Sequence, residues 1–306
     1  MNTTPSFTHT LRQRWQAADS MLCVGLDPDP ARIPAHLGTG PEAIDRFCRD
    51  IIAATADTVC AFKPQIAYFA AQGAEDVLAG LITHIHAEHP GIPVILDAKR
   101  GDIGSTARQY GVEAFDRFKA DALTLSPFMG FDSIEPYFEW AGRGLILLCR
   151  TSNPGGNDLQ ALSVLPAGDA TGTPSGAPSP RQSASDTASS TQPEKLYEHL
   201  ARLAAGPWNV NGELGLVVGA TFPDELARVR TLAPRLPLLV PGVGAQGGDV
   251  NATVRAGLDA DGYGLVINSS RAILYAGQST DFADQVRKAA VATRDAIRAA
   301  RDAARA

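Results

Sequence analysis

Nowhere in the 306 residues does an apolar run approach the ~18 residues that a transmembrane helix needs, which excludes a helical membrane protein. Positive charge is also short. The 27 Lys and Arg against 33 Asp and Glu leave a formal net charge of −6, so no basic excess exists to hold a phosphate polymer, and nucleic acid is not expected as a partner. Cysteine is sparse: Cys23, Cys48, Cys60 and Cys149 form no C-x-x-C pair, and three of them lie in or beside apolar runs. They read as small buried hydrophobes, not as a disulfide framework or a metal centre. The first twenty residues lack the charged start, apolar stretch and small-residue cleavage site of a secretory leader, so a cytoplasmic location is expected. No H-E-x-x-H segment occurs and no Ser, His and Asp fall together at strand ends, which leaves hydrolase chemistry without support. His84, His86 and His89 share one helical segment ahead of a strand, at the end opposite a barrel's mouth, and read as a surface helix.

What the chain does have is a repeated alternation. Runs rich in Val, Ile and Leu recur at Met21–Leu26, Val59–Phe62, Pro93–Leu96, Ala122–Ser126, Leu145–Cys149, Leu214–Val218, Pro237–Val240 and Gly264–Ile267. Between them the apolar residues take helical spacing, as in Ile44, Phe47, Ile51 and Ile52, or Val77, Leu78, Leu81, Ile82 and Ile85. Near-continuous apolar strands alternating with amphipathic helices predict a parallel sheet covered by helices, and eight units are the number that closes a (β/α)₈ TIM barrel. A doubly wound open sheet is the alternative. About seventy residues separate the starts of the fifth and sixth strands, and residues 166–193 contain no aromatic and no apolar side chain larger than Ala. Such a stretch cannot bury enough surface to offset the cost of ordering it, so it is expected to be a disordered insertion within one barrel domain spanning 1–306. The Ala- and Arg-rich tail, Thr280 to Ala306, carries Phe282, Val286 and Ile297 on one side and predicts a closing amphipathic helix.

A parallel barrel keeps its site at the carboxyl ends of the strands. Those ends are unusually charged: Asp27 on the first, Lys63 on the second, Asp97 and Lys99 on the third, Arg150 with Ser152 on the fifth, and Asn268, Ser269, Ser270 and Arg271 on the eighth. With period-two alternation, Ile95, Asp97 and Lys99 share a face, as do Val59, Ala61 and Lys63, and Cys23, Gly25 and Asp27. If that face is the interior, the charges converge at the mouth. In D-A-K-R-G-D-I-G-S-T, Asp102 is placed to open the next helix, where an N-cap role competes with a functional one, and Thr106 lies one turn along. The glycine-rich PGVGAQGGD after the seventh strand, followed by INSSR after the eighth, reads as a phosphate site of loop N–H groups, helix starts and the Arg271 charge. The same loop matches the dinucleotide fingerprint through Gly242, Gly244 and Gly247. The acidic partner expected at the end of the next strand is missing, and the motif leaves Asp97, Lys99 and Asp102 unexplained.

The D-x-K-x-x-D-I-x-x-T pattern filled by Asp97, Lys99, Asp102, Ile103 and Thr106 resembles the signature of the orotidine 5′-phosphate decarboxylase family. FKPQ around Lys63, TLSPFMG, CRTSNPG, PGVGAQGGD and NSSR are similar to its longer bacterial subfamily, from about Leu22 to Arg271. The resemblance implies a dimeric (β/α)₈ barrel that converts orotidine 5′-monophosphate to uridine 5′-monophosphate and carbon dioxide, with no metal and no organic cofactor. It implies that Lys99 donates the proton, Asp97 faces the substrate carboxylate and Lys63 completes an alternating charge network. Asp102 and Thr106 would serve the neighbouring subunit's site, Asp27 the ribose, Ser152 the pyrimidine, and Gln246, Ser270 and Arg271 the phosphate. Two features depart from the family pattern, the long unstructured insertion and the short GVGAQGG form of the phosphate loop. Metal-dependent sugar-phosphate lyases such as hexulose-phosphate synthase resemble the third-strand stretch too, but carry a carboxylate where this chain has Lys63, which would repel magnesium. A non-catalytic nucleotide-phosphate binder is a further alternative, though a binder has no evident need for Lys99 between two aspartates.

Overall fold

The computed structural model describes residues 6–165, 192–243 and 248–306. All eight expected strands form: β1 (Leu22–Leu26), β2 (Ala61–Pro64), β3 (Ile95–Arg100), β4 (Ala122–Leu125), β5 (Gly144–Arg150), β6 (Leu214–Val218), β7 (Leu238–Pro241) and β8 (Leu265–Ser269). They pair in parallel in the order 2-1-8-7-6-5-4-3. Parallel bridges from Phe62 to Val94 and from Gln65 to Asp97 join β2 to β3, so the two ends of the sheet meet and the cylinder closes. This is the (β/α)₈ barrel and not the open doubly wound sheet.

Five strands run further than their apolar runs, β7 by Pro241 alone and the other four into polar residues. β2 continues through Lys63, β3 through Asp97 to Arg100, β5 to Arg150 and β8 to Ser269. Hydrophobicity stops where the interior face turns polar at the mouth, while backbone pairing continues past it. Lys63, Asp97, Lys99 and Arg150 therefore sit on the strands themselves, with Asp27 and Arg271 just beyond their ends.

The helices bury the faces that their spacing predicts. Ile44, Phe47, Ile51 and Ile52 of the helix Gly40–Thr55 are fully buried, as are Leu78, Leu81, Ile82 and Ile85 of Glu75–Glu88. At the barrel's opposite end His86 meets Asp121, 2.8 Å away, which also binds Arg143, so the histidine segment is a structural surface helix as expected. The closing helix, Phe282–Arg305, packs against Gly40–Thr55 and Val250–Gly257 with Phe282, Val286, Ala290, Ile297 and Ala300 inward. One helix has no counterpart in the sequence reading: Phe7–Ala18, capped by the Ser6 hydroxyl, buries Phe7, Leu11 and Trp15 across the strand starts. Phe7 N–H donates to the Gly142 carbonyl and Thr8 N–H to the Glu213 carboxylate, both beside strand beginnings. All four cysteines are buried thiols. Of the expected insertion, residues 166–191 lie outside the described residues. Its two bases are held together by an antiparallel pair, Ser163–Val164 with Glu194–Lys195.

Candidate active site

Asp97 is the centre of the barrel mouth. Its carboxylate takes one hydrogen bond from Lys63 Nζ at 2.7 Å and one from Lys99 Nζ at 2.7 Å, on different oxygens. The Thr124 hydroxyl adds a third at 3.0 Å. Lys63 and Asp97 are buried, whereas the Lys99 side chain is 47% exposed, so one ammonium is fixed in the wall and the other faces the cavity. Burial by itself raises a carboxyl pKa. Here the charges and hydrogen bonds of Lys63 and Lys99 outweigh it and hold Asp97 well below the usual carboxylate range. The converse holds for Lys63: burial lowers it, but Asp97, then Asp27, outweigh that and push it above the ordinary lysine value.

Simple alternation does not place Lys99. β3 shifts register against β4 between Leu96 and Arg100, and Lys99 sits at φ +48°, a left-handed conformation costly for a residue with a Cβ. Thr124 holds it there: its hydroxyl accepts from Ala98 N–H at 3.0 Å and Lys99 N–H at 2.9 Å while donating to Asp97. Both lone pairs and the proton of that hydroxyl are used. Strain braced in this way is characteristic of functional sites.

Around the triad lies a cavity of about 320 Å³, adequate for a small ligand. Its charged lining comprises Asp27, Lys63, Asp97, Lys99 and Arg271, two carboxylates against three cations, which suits an anion. Asp27 Oδ1 and Asn268 Oδ1 are buried there without a hydrogen-bond partner among the described residues. An acceptor left so costs about 1–3 kcal/mol, and a ligand donor would relieve it. Asn268 Nδ2 donates to the Ser270 hydroxyl at 3.2 Å. These side chains fit only because β1 carries Gly25, where a Cβ would stand 2.0 Å from Ser270 Oγ.

Ser152 lines the cavity beside Thr151 and Asn153, backed by Gly219 at the end of β6. A Cβ on Gly219 would lie 2.7 Å from that of Ser152, so the glycine permits the approach. Arg150 behaves otherwise than the sequence reading suggests. A bulge in β5 between Leu148 and Arg150 turns its guanidinium away from the cavity, where it pairs with Glu225, binds Asn157 Oδ1 at 2.6 Å and lies over the Phe222 ring. It clamps the loop that carries Ser152 and does not line the cavity.

Arg271 and Ser270 line the cavity, as expected, and among the described residues Arg271 has no ion-pair partner. The expected contribution of the helix start after β7 needs correction. Asp249 caps the helix Val250–Gly257, accepting from Asn251 N–H and Ala252 N–H, so those first-turn donors are already used by a carboxylate. Gly242 and Val243 reach the cavity; Gly244, Gln246 and Gly247 lie outside the described residues.

Asp102 and Thr106 are not brought into the cavity of their own chain. The helix begins at Gly104, beyond Asp102, whose carboxylate accepts, among the described residues, only from Ile103 N–H at 2.8 Å; it is not the N-cap. Beside it Ile103, Phe128 and Met129 are 49%, 79% and 50% exposed, an apolar rim at the mouth. Sequence reasoning missed the role of Thr124, although the inward phase of β4, Ala122 then Thr124, marks it.

The sequence profile described as the orotidine 5′-phosphate decarboxylase / HUMPS family matches residues 20–171. The chain is 61% identical over 295 residues to the orotidine 5′-phosphate decarboxylase of Azoarcus sp., covering 96% of this chain and 99% of that one. It is 59% identical to the one from Dechloromonas aromatica, covering 95% and 98%. Among solved structures, Leishmania donovani OMP decarboxylase superposes with a TM-score of 0.76 at 40% identity, over 97% of this chain and 99% of that chain. The Pyrococcus horikoshii orotidine 5′-phosphate decarboxylase, 21% identical with a TM-score of 0.57 over 90% and 99%, shares the fold alone.

Proposed function

The chain belongs to the orotidine 5′-phosphate decarboxylase / HUMPS family, and from that premise we propose that its barrel mouth converts orotidine 5′-monophosphate to uridine 5′-monophosphate and carbon dioxide, the last step of UMP synthesis. The observation that carries this reading is the Lys63–Asp97–Lys99 array on the cavity wall. Breaking the bond from pyrimidine C6 to its carboxylate releases carbon dioxide and leaves an electron pair in the ring plane, outside the reach of the π system. That charge must be stabilised electrostatically. The Lys99 ammonium, half-exposed and facing the cavity, does so and then gives C6 its proton, taking a replacement from solvent.

Asp97 stays ionised because two ammonium groups hold it so, and it would face the substrate carboxylate. At ~4 Å and an effective dielectric of ~20 that repulsion supplies only ~4 kcal/mol, against a barrier lowering near the upper end of ~8–23 kcal/mol. The remainder must come from charge stabilisation and from binding energy of remote groups, with Arg271 and Ser270 on the phosphate, Asp27 on the ribose and Ser152 on the pyrimidine. Gln246 is assigned to the phosphate by motif alone.

Homodimerisation with shared sites belongs to the same proposal. Asp102 and Thr106 lie outside the cavity of their own chain, next to the apolar rim of Ile103, Phe128 and Met129. A partner contacting that rim would bring both residues to its neighbour's mouth. A cytoplasmic location, reaction without a cofactor and no nucleic-acid partner complete the reading. No described helix is long and apolar enough to cross a membrane.

The metal-dependent lyase reading is disfavoured by the donor set, because the Lys63 ammonium occupies Asp97 Oδ2, where a cation would have to bind. The test is loss of orotidine 5′-monophosphate absorbance after exhaustive chelation, with Lys99→Ala alongside. Turnover that survives chelation and falls at least ~10²-fold in Lys99→Ala is expected. Turnover abolished by chelation, or unchanged in the variant, would overturn the assignment.

A further inference from the structure

The loop after β1 is held by a residue from the segment that follows the neighbouring strand β8. Tyr275 directly follows the short helix Arg271–Leu274, and its hydroxyl donates to the Asp27 carbonyl at 2.7 Å while accepting from Asp29 N–H at 2.7 Å. In Pro28-Asp29-Pro30 the Asp29 N–H is the only backbone donor, because the prolines have none, and it is spent on this phenol. Two neighbours hold the ring: the Arg32 guanidinium lies over it, 3.8 Å from its centroid, and the Phe47 ring stacks with it at 5.9 Å. Gln278 adds a second tie, donating to the Arg32 carbonyl at 3.2 Å. Burial pushes the phenol pKa up to about 12, so the proton stays in place throughout the neutral range.

The carbonyl that the phenol grips belongs to the residue whose carboxylate lines the cavity with an unpaired, buried Oδ1. Holding the Asp27 carbonyl and the Asp29 N–H together fixes the backbone that carries that carboxylate. Four residues before the phenol stands Arg271, just beyond the neighbouring strand β8 and lining the same cavity. We propose that Tyr275 is a positioning residue: its hydroxyl fixes the Asp27 carboxylate for a ligand hydroxyl and ties that carboxylate to the segment carrying the anion-binding Arg271. This rests on the reading of the cavity as an orotidine 5′-monophosphate site. It predicts that the sugar and phosphate contacts form as one unit, so that a ligand anchored at Arg271 meets Asp27 already in place.

The test is a double-mutant cycle on decarboxylation of orotidine 5′-monophosphate, with Tyr275→Phe and Asp27→Ala alone and together, plus a thermal melt of each. Tyr275→Phe keeps the ring, its Arg32 contact and its Phe47 stack. KM is expected to rise about tenfold with kcat within about threefold in Tyr275→Phe, and the same change is expected to cost less than about twofold once Asp27 is Ala. A purely structural phenol would lower the melting temperature and cost the same in both backgrounds, and additive KM effects overturn the proposal. Failure of the site reading looks different: Asp27→Ala would then leave KM unchanged, and the positioning role falls with it.

Discussion

Neutralising Asp97 tests the electrostatic account most directly, because the structure fixes the sign of the outcome as well as its size. At 2.7 Å and an effective dielectric of ~20, the contact between Lys63 and Asp97 is worth about 6 kcal/mol of Coulomb attraction, set against several kcal/mol of desolvation for each ion. The Lys99 contact adds at most about 1 kcal/mol, since its side chain is half in solvent. Asp97→Asn keeps the shape but strands the buried Lys63 ammonium, and breaking a buried pair in this way costs about 3–5 kcal/mol, a fall in Tm on the order of 10 °C. In the native protein Asp97 titrates below its ordinary 3.8, so its contribution is present above that pH and is lost as pH falls further. Lys63 titrates above its ordinary 10.5, so its contribution is present below that pH and is lost on going higher. The pair therefore stabilises the fold evenly across the neutral range. In Asp97→Asn the largest remaining influence on Lys63 is burial, its pKa drops below 10.5, and its sign inverts: the ammonium destabilises the fold at pH 6, with relief as pH rises. Guanidinium unfolding at fixed protein concentration, at pH 6 and pH 9.5, should show a deficit against the native protein that is smaller at pH 9.5. A deficit under about 1 kcal/mol, identical at both pH values, would refute the buried-pair argument.

Three further predictions concern the cavity wall and its partner. Arg271→Ala should lose much of its rate on the intact nucleotide but little on the phosphate-free nucleoside, and equal losses on both would reject a role for remote phosphate binding. Mixing inactive Lys99→Ala and Asp102→Ala subunits should restore one working site per hybrid dimer; no recovery after confirmed subunit exchange excludes sharing in trans. Gly219→Ala places a methyl 2.7 Å from Ser152 Cβ, which should cost about 1–3 kcal/mol of stability and raise KM by displacing Ser152. Unaltered kinetics would remove Ser152 from the substrate contacts.

The sequence by itself determined the eight strands, the helices between them and the interruption after the fifth strand, because continuous apolar runs and a 3.6-residue burial period are written locally and eight units admit closure. It also placed Asp27, Lys63, Asp97, Lys99 and Arg271 at strand ends, and all five line one cavity. The tertiary structure alone decided where side chains point once regular alternation stops. A bulge in β5 turns Arg150 outward onto Glu225, and a left-handed turn braced by Thr124 swings Lys99 onto Asp97. Asp249 closes a helix start that composition left open, Asp102 and Thr106 stay off their own cavity, and Tyr275 reaches a loop 248 residues away along the chain. Each of these depends on a partner distant in sequence or on one residue's φ, neither of which leaves a periodic trace, so only the folded chain could show them.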